Sequence, residues 1–271
     1  MAFYRGDSLE LMELALGSIL AQTFPSVSIH IYLVVDGPLP LAHERWLAGH
    51  SKDIHKIVRL PENRGLASAL NALLEVIEDE AYLFRMDGDD ICRPERFETQ
   101  VQFMEAHQSI DLAGANADDI DHKGGIVRER RYPETHEDIV RLLPRLNPVL
   151  HPTYCIRTAS IKRDQLRYPD RYLTEDLAFL FLAAQSGWRF HNLQAKLLGW
   201  RVDADFLRRR FDPRRGWQEL KVALPGTWRL FGFSPNLAWP IMRFGLRLLP
   251  PAILSPIYRS SVRKWIANLS G

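Results

Sequence analysis

Cysteine is scarce in this 271-residue chain: Cys92 and Cys155 are the only two. Neither has the Cys/His company of a zinc ligand set, and two thiols build no disulfide framework. A reducing compartment is the expected setting. Long apolar runs are missing as well. The longest uncharged stretch of the C-terminal region, Leu230 to Met242, has thirteen residues, whereas a membrane-spanning helix needs about 20. Met1 to Asp7 holds no apolar leader, so the chain is expected to be cytoplasmic. Asn63-Arg64-Gly65-Leu66 lacks the Gly-Lys-Ser/Thr ending of a phosphate loop and the Gly-x-Gly-x-x-Gly of a dinucleotide turn. No internal repeat or low-complexity segment occurs. Apolar residues at 46% and charged residues at 25% are ordinary for a globular protein, which excludes disorder, collagen and coiled coil as the main architecture. The length suits one large domain, or a domain with an appendage, and a core that needs no staples.

The net charge of +2 hides an uneven distribution. Residues 206–271 carry twelve Lys/Arg against two acids, Asp212 and Glu219, leaving 23 basic and 31 acidic residues in 1–205. An acidic body of 1–205 and a basic tail of 206–271 are therefore expected as two units. The tail interleaves Arg208, Arg209, Arg210, Arg214, Arg215, Arg229, Arg259 and Arg263 with Trp217, Trp228, Trp239 and Trp265. Arg243, Phe244, Leu246, Arg247, Leu248 and Leu249 fit an amphipathic face on anionic lipid, or a helical cap whose arginines are solvated. Aromatic and basic residues also serve single-stranded nucleic acid, but no nucleic-acid motif accompanies them, and no nucleic-acid partner is expected.

Helical spacing predicts helices over Leu9–Gln22, Leu41–Gly49, Gly65–Glu78, Pro94–His107, Glu137–Leu143 and Glu175–Ser186. β-branched apolar runs predict strands at Ser28–Val35, His55–Leu60 and Ala81–Met86, with shorter ones at Leu112–Ala115 and in Tyr154-Cys155-Ile156-Arg157. Strict alternation through residue 107 argues for βαβ units: an α/β fold with a mostly parallel sheet flanked by helices. Such sheets bind ligands beyond the carboxyl ends of their strands. Asp36, Asn63-Arg64-Gly65 and Asp87-Gly88-Asp89-Asp90 fall at those ends.

Three carboxylates in four residues at a strand end repel one another unless a cation offsets them. A hard dication takes carboxylate and phosphate oxygens together, so Asp87 to Asp90 read as a Mg²⁺ or Mn²⁺ site for a diphosphate. The same residues also suit a solvated turn ahead of a helix N-terminus. Thr174-Glu175-Asp176 reads either as a helix cap with acids in the first turn or as a general base for a hydroxyl. His151 is equally suited to a structural hydrogen bond.

Six stretches together resemble the family-2 glycosyltransferases, the inverting group with the GT-A (Rossmann-like) fold. They are FYRGDSLELMELALGSILAQTF, IYLVVDGP, VRLPENRGLASALNALLE, YLFRMDGDDICRPERFETQVQFME, NPVLHPTYCIR and YLTEDLAFLFLAAQSGWRF, in the family's order over residues 3–201. The resemblance implies transfer of one sugar from a nucleoside diphosphate sugar, UDP-linked, to a saccharide or lipid-linked acceptor in surface or capsular polysaccharide synthesis. It implies that Tyr4 and Asp36 line the base pocket with Asn63, Arg64 and Gly65 nearby. Asp87 contacts ribose or metal, and Asp89 binds the dication, Mn²⁺ or Mg²⁺. Asp176 is the base, with Glu175 beside it. His151 lies near the donor sugar or acceptor, and Arg85 belongs to the same crevice.

Two features depart from the family. Only Met1-Ala2-Phe3 precede Tyr4, where the family has a complete apolar strand. The Gln-x-x-Arg-Trp motif of processive synthases is absent, Gly199-Trp200-Arg201 being no substitute. Single transfer is therefore expected, at the inner face of the membrane if the tail touches lipid. The alternative is an inactive scaffold that has lost donor binding and serves as a membrane-associated partner. A nucleotidyltransferase ranks lower, because its glycine-rich loop after the first strand is missing.

Overall fold

The computed structural model describes residues 1–24, 27–202 and 213–248. The apolar runs form two sheets. The first is parallel, in the order β1 (Ala2–Phe3), β2 (Tyr32–Asp36), β3 (Lys56–Leu60). Helices α1 (Leu9–Leu20), α2 (Leu41–Gly49) and α3 (Leu66–Leu74) follow these strands in turn. Ser8 caps α1, its Oγ accepting from the Leu11 amide at 3.4 Å. The run 28–35 starts its strand only at Tyr32, and the helix read as 65–78 ends at Leu74.

The second sheet runs β4 (Tyr82–Phe84), β8 (Cys155–Arg157), β6 (Leu112–Ile120), β9 (Phe190–Arg201), β5 (Ile91–Cys92), with β7 (Ile126–Arg130) folded back on β6 as a hairpin. β6 and β9 are parallel and the other pairs antiparallel. Helices α4 (Arg96–Ala106), α5 (His136–Leu142), α6 (Thr158–Asp164), α7 (Glu175–Gln185), α8 (Pro213–Phe231) and α9 (Ala238–Arg247) complete the order.

β6 is the longest departure from the sequence pattern, which marked only Leu112–Ala115. Its nine residues, LAGANADDI, are all buried. Small side chains let neighbours close in: a Cβ on Gly114 would meet Asn192 Oδ1 at 2.2 Å and Val149 Cγ1 at 2.4 Å. The two buried acids are paired. Asp118 binds Arg93 at 2.9 Å and Lys196 at 3.3 Å, and Asp119 binds Arg128 at 2.5 Å together with Arg130. Cations from β7, β9 and the β5–α4 turn thus allow acid to sit in a central strand.

Where the sheets meet, a cavity of about 660 Å³ opens, lined by Met1, Ile31 and Tyr32 on one side and Tyr82, Leu83 and Phe84 on the other. The amine of Met1 reaches Tyr32 O at 2.7 Å. Among the described strands β1 pairs with β2, and Phe3 packs on His43 and Trp46 of α2.

The helices of the basic tail share the main core. Val222 and Ala223 of α8 join Leu177, Leu180 and Phe181 of α7 in one buried cluster. Gly226, next to Pro225 within α8, lies so close to Phe181 that a Cβ would meet its ring at 2.4 Å. The boundary expected at 205/206 and the residues Arg208, Arg209, Arg210, Leu249, Arg259, Arg263 and Trp265 lie outside the described residues.

Two of the tail glycines should respond with opposite signs. Gly226→Val overpacks the α7–α8 contact and should cost about 1–3 kcal/mol in denaturant unfolding. Gly245→Ala, where a Cβ meets nothing within 4 Å, should stabilise by roughly 0.5–1 kcal/mol through helix propensity.

Candidate active site

Three groups of polar side chains stand at strand and helix ends. The first belongs to β2 and α3. Asp36 is buried, and its two carboxylate oxygens accept from the amides of Arg64 at 2.7 Å and Gly65 at 2.9 Å. Asn63 Nδ2 donates to Asp36 O at 3.2 Å. The close approach needs Gly37, whose φ is +87° and whose Cβ would strike Asn63 N at 2.6 Å. Asp36, Asn63, Arg64 and Gly65 are thus brought together, with Asp36 fixing the start of α3. Tyr4 lies in the turn after β1. It is 43% exposed, and its ring folds over Gly6, where a Cβ would meet it at 2.6 Å.

The second group is the turn after β4. The Arg85 guanidinium is buried and binds Asp87 Oδ1 and Met86 O, while its Nε has no partner among the described residues. Asp90 is fully buried. Its Oδ1 accepts from the Arg201 amide at 2.8 Å, and its Oδ2 has no partner among the described residues. Arg201 Nε reaches Asp89 O at 2.7 Å and its Nη1 reaches Asp121 O at 2.5 Å, so the end of β9 holds the turn. Burial and the neighbouring Asp87 charge raise the Asp89 carboxyl to about 6, against the weaker pull of Arg201 and Arg85. Burial, and then the Asp87 and Asp89 charges, raise Asp90 well above the ordinary carboxylate value.

Asp7 belongs here too. Sequence reading gave it no place in the site. Its Oδ2 accepts from the Tyr4 amide at 2.8 Å, and burial, helped by Asp89 and Asp87, lifts it to about 6. Nothing in the local pattern of residues 4–8 distinguishes such an acid from an ordinary cap.

The third group opens α7. Asp176 accepts from Asn147 Nδ2 at 2.5 Å through Oδ2 and from the Leu177 amide at 2.7 Å through Oδ1. Burial raises it, opposed by Arg215 of α8 and by those two hydrogen bonds. Burial and the adjacent Asp176 charge push Glu175 to about 7, with Arg215 and Arg85 pulling the other way. His151 is buried and meets the Tyr168 hydroxyl at 3.1 Å; burial first, and Arg85 next, lower its pKa well below the ordinary value. Asn71 of α3 clamps the Tyr168 backbone with two bonds of 2.8 Å.

Arg85 therefore joins the second and third groups: Asp87, Asp89, Glu175 and His151 all feel its charge. Sequence reading missed Asp7, Asn147, Tyr168, Arg201 and Arg215 as members. Another cluster, His30, His55 and Glu80, has donor atoms within 4.8 Å of one another. It lies ahead of β2, β3 and β4, at the opposite strand ends, where Glu80 already accepts from Tyr32 Oη at 2.5 Å and the Glu78 amide at 2.9 Å.

Acids gathered beyond the strand ends of an α/β fold suit a site for a phosphorylated or metal-bound ligand. The profile of glycosyl transferase family 2 matches residues 3–164, and the chain belongs to that family. An uncharacterized glycosyltransferase of Haemophilus influenzae is 32% identical over 97% of this chain and 98% of its own length. The amylovoran biosynthesis glycosyltransferase AmsE of Erwinia amylovora is 31% identical over 95% and 96%. An Escherichia coli UDP-Gal:alpha-D-GlcNAc-diphosphoundecaprenol beta-1,3-galactosyltransferase is 24% identical over 98% and 96%. Two solved structures share the fold. The mannosyltransferase PcManGT of Pyrobaculum calidifontis, in complex with GDP-Man and Mn²⁺, has a TM-score of 0.61 at 16% identity over 98% of this chain and 81% of that one. S. aureus TarS 1–349 in complex with UDP-GlcNAc has a TM-score of 0.61 at 17% identity over 92% and 80%.

The Glu175–Asp176 pair carries a pH signature. Folded Glu175 keeps its proton to about pH 7, whereas the unfolded chain releases it near 4.5. Between those values the folded state binds more protons, so this group's contribution to stability falls as pH rises. Glu175→Gln should therefore raise the thermal midpoint at about pH 8, and its advantage over the wild type should shrink toward about pH 5, as read by scanning calorimetry.

Proposed function

We propose that this chain transfers a single sugar from a nucleoside diphosphate sugar, UDP-linked, to a hydroxyl of a saccharide or lipid-linked acceptor, with inversion, in surface or capsular polysaccharide assembly. The observation that carries the reading is the Arg85-centred set, in which a buried guanidinium pairs with Asp87 after β4 and its charge also reaches Asp89 and, at the start of α7, Glu175. Two relatives agree with the setting, one named for amylovoran biosynthesis and one for transfer from UDP-Gal to a diphosphoundecaprenol-linked sugar. In this reading residues 1–205 form the catalytic unit and 206–271 an extension at the inner face of the membrane.

The donor set after β4 fits a hard dication. Asp89 is raised by burial and by Asp87, and Asp90 Oδ2 is buried without a partner among the described residues. That surplus of carboxylate suits Mn²⁺ or Mg²⁺. Asp87 and Asp89 would hold the ion, which when bound neutralises charge on the leaving diphosphate. Arg85, buried and with an Nε that has no partner among the described residues, adds fixed positive charge to the site. Asp36, Asn63, Arg64, Gly65 and Tyr4 border the nucleotide side.

Asp176 is the base. Asn147 and the Leu177 amide hold both its oxygens in one orientation. Its remaining lone pairs accept the acceptor hydroxyl proton as the oxygen attacks the anomeric carbon. One carboxylate opposite the leaving group gives inversion, unlike the paired acids of retaining glycosidases. Glu175, protonated to about pH 7, keeps a second negative charge away from the base. His151, neutral beside Arg85, offers a hydrogen bond to sugar hydroxyls.

One observation favours the second reading, an inactive scaffold: a cavity of about 660 Å³ opens between the two sheets. A thermal shift with UDP and Mn²⁺ separates the two, since no shift at millimolar ligand supports the scaffold.

Asp176→Asn should keep the UDP/Mn²⁺ shift and lower turnover by about 10²–10⁴-fold. Asp89→Ala should abolish Mn²⁺-dependent UDP binding in calorimetry. Wild-type affinity in that variant would remove Asp89 from the metal site.

A further inference from the structure

Helix α8 has two chemically distinct faces. Inward lie Arg215, Glu219, Val222, Ala223, Gly226 and Thr227. Outward, at helical spacing, lie Arg214, Trp217, Lys221, Pro225 and Trp228, all exposed. The ammonium of Lys221 sits 5.2 Å from the Trp217 ring centre.

Helix α9 inverts the usual arrangement. A surface helix turns its charges to water and its apolar stripe to the core. Here Arg243 and Arg247 point inward and bind Glu219 at 2.8 and 2.6 Å. The exposed positions are Ala238, Ile241, Met242, Gly245 and Leu248, with no charge among them. Between the helices Phe233 is 91% exposed, its ring 6.4 Å from that of Trp228. The hairpin thus presents aromatic and aliphatic side chains beside Lys221 and Arg229. No described helix is long and apolar enough to cross a membrane.

We propose that the α8–α9 hairpin docks on an anionic bilayer, laying Trp228, Phe233, Ile241, Met242 and Leu248 into the headgroup region. A lipid surface fits better than a second copy or a soluble partner. The exposed strip combines apolar groups with Lys221 and Arg229, and the one acid among the described residues 213–248, Glu219, is buried. That is the charge complement of anionic headgroups, and it is repulsive toward another copy of the same face.

The geometry also gives docking a purpose, which rests on the transferase reading above. Arg215 and Glu219, on the inward face of α8, act on Asp176. The outward face of the same helix is the docking face. The single helix α8, packed on α7, thus stands between the docking face and the element that carries Asp176. A sugar carried on a lipid diphosphate would be delivered beside that carboxylate without leaving the membrane.

The test is co-sedimentation of the full chain with phosphatidylcholine vesicles, with and without phosphatidylglycerol. Binding should require phosphatidylglycerol and weaken with salt. The triple variant Phe233→Ser, Ile241→Ser, Met242→Ser should lower vesicle affinity by about tenfold or more, with an unchanged thermal midpoint. Lys221→Glu with Arg229→Glu should remove the preference for anionic lipid. Absence of sedimentation with both vesicle types overturns the proposal. So does a wild-type dimer in size exclusion that the triple variant makes monomeric while vesicle binding persists. A UDP/Mn²⁺ thermal shift on the same preparations keeps the two readings separate. Vesicle binding without that shift fells the transferase reading alone, and the shift without vesicle binding fells docking alone.

Discussion

One buried guanidinium conditions the site. Arg85 sits at the end of β4 among Asp87, Asp89, Glu175, His151 and Tyr168, and a charge in that position costs several kcal/mol unless it is paired. Its pairing with Asp87 and Met86 O bends the chain back at the 86–90 turn. The turn then needs anchors of its own. Arg96 reaches Arg85 O at 3.0 Å from the fully buried face of α4, and Arg201 binds Asp89 O and Asp90 Oδ1. A Cβ on Gly88 would displace the Met12 side chain, which packs against the turn. The second sheet thus supplies β4, α4 and the end of β9 to hold a single turn, and α1 forms its floor.

Much of this was legible along the chain. The helices at Leu41–Gly49, Arg96–Ala106 and Glu175–Gln185 appear within two residues of where their spacing put them. Acids at strand ends were legible because a hydrophobic run that stops at Asp-Gly can only leave the sheet there. What escaped was decided at a distance. LAGANADDI has low strand propensity at most positions, and it is a central strand only because Arg93, Arg128, Arg130 and Lys196 arrive from elsewhere to neutralise its acids. Asp7 has the local signature of a cap, and its nearness to Asp87 and Asp89 exists only once β1 and β4 converge. Asn147 sits in a loop with no periodicity to mark it, yet it makes the 2.5 Å bond that orients Asp176.

The basic tail shows why a charge count alone cannot assign a face. Arg243, Phe244, Leu246 and Arg247 read from the sequence as members of one lipid-facing surface. In the fold both arginines turn toward Glu219, which is 7% exposed and also lies near Arg215. A buried carboxylate with three guanidiniums around it is a strong local attractor, since unpaired burial of either partner costs more than the packing of an aliphatic side chain returns. Once the arginines are drawn inward, helical geometry leaves Ile241, Met242 and Leu248 outside. The apolar surface of α9 is thus a consequence of one acid on α8.

The same acid ties that surface to the chemistry. Glu219 raises the Asp176 carboxyl, and Arg215, four residues earlier on α8, lowers it. Both are held by the packing of α8 on α7 through Gly226 and Phe181. Any rotation or lift of α8 changes the distance of two opposite charges from Asp176 at once, and Coulomb energies of a few kcal/mol at short range in a partly buried site make its proton affinity sensitive to such a movement. The hairpin is therefore not an independent appendage, electrostatically or mechanically. A force applied to its outer face is transmitted through a single helix to the carboxylate that opens α7.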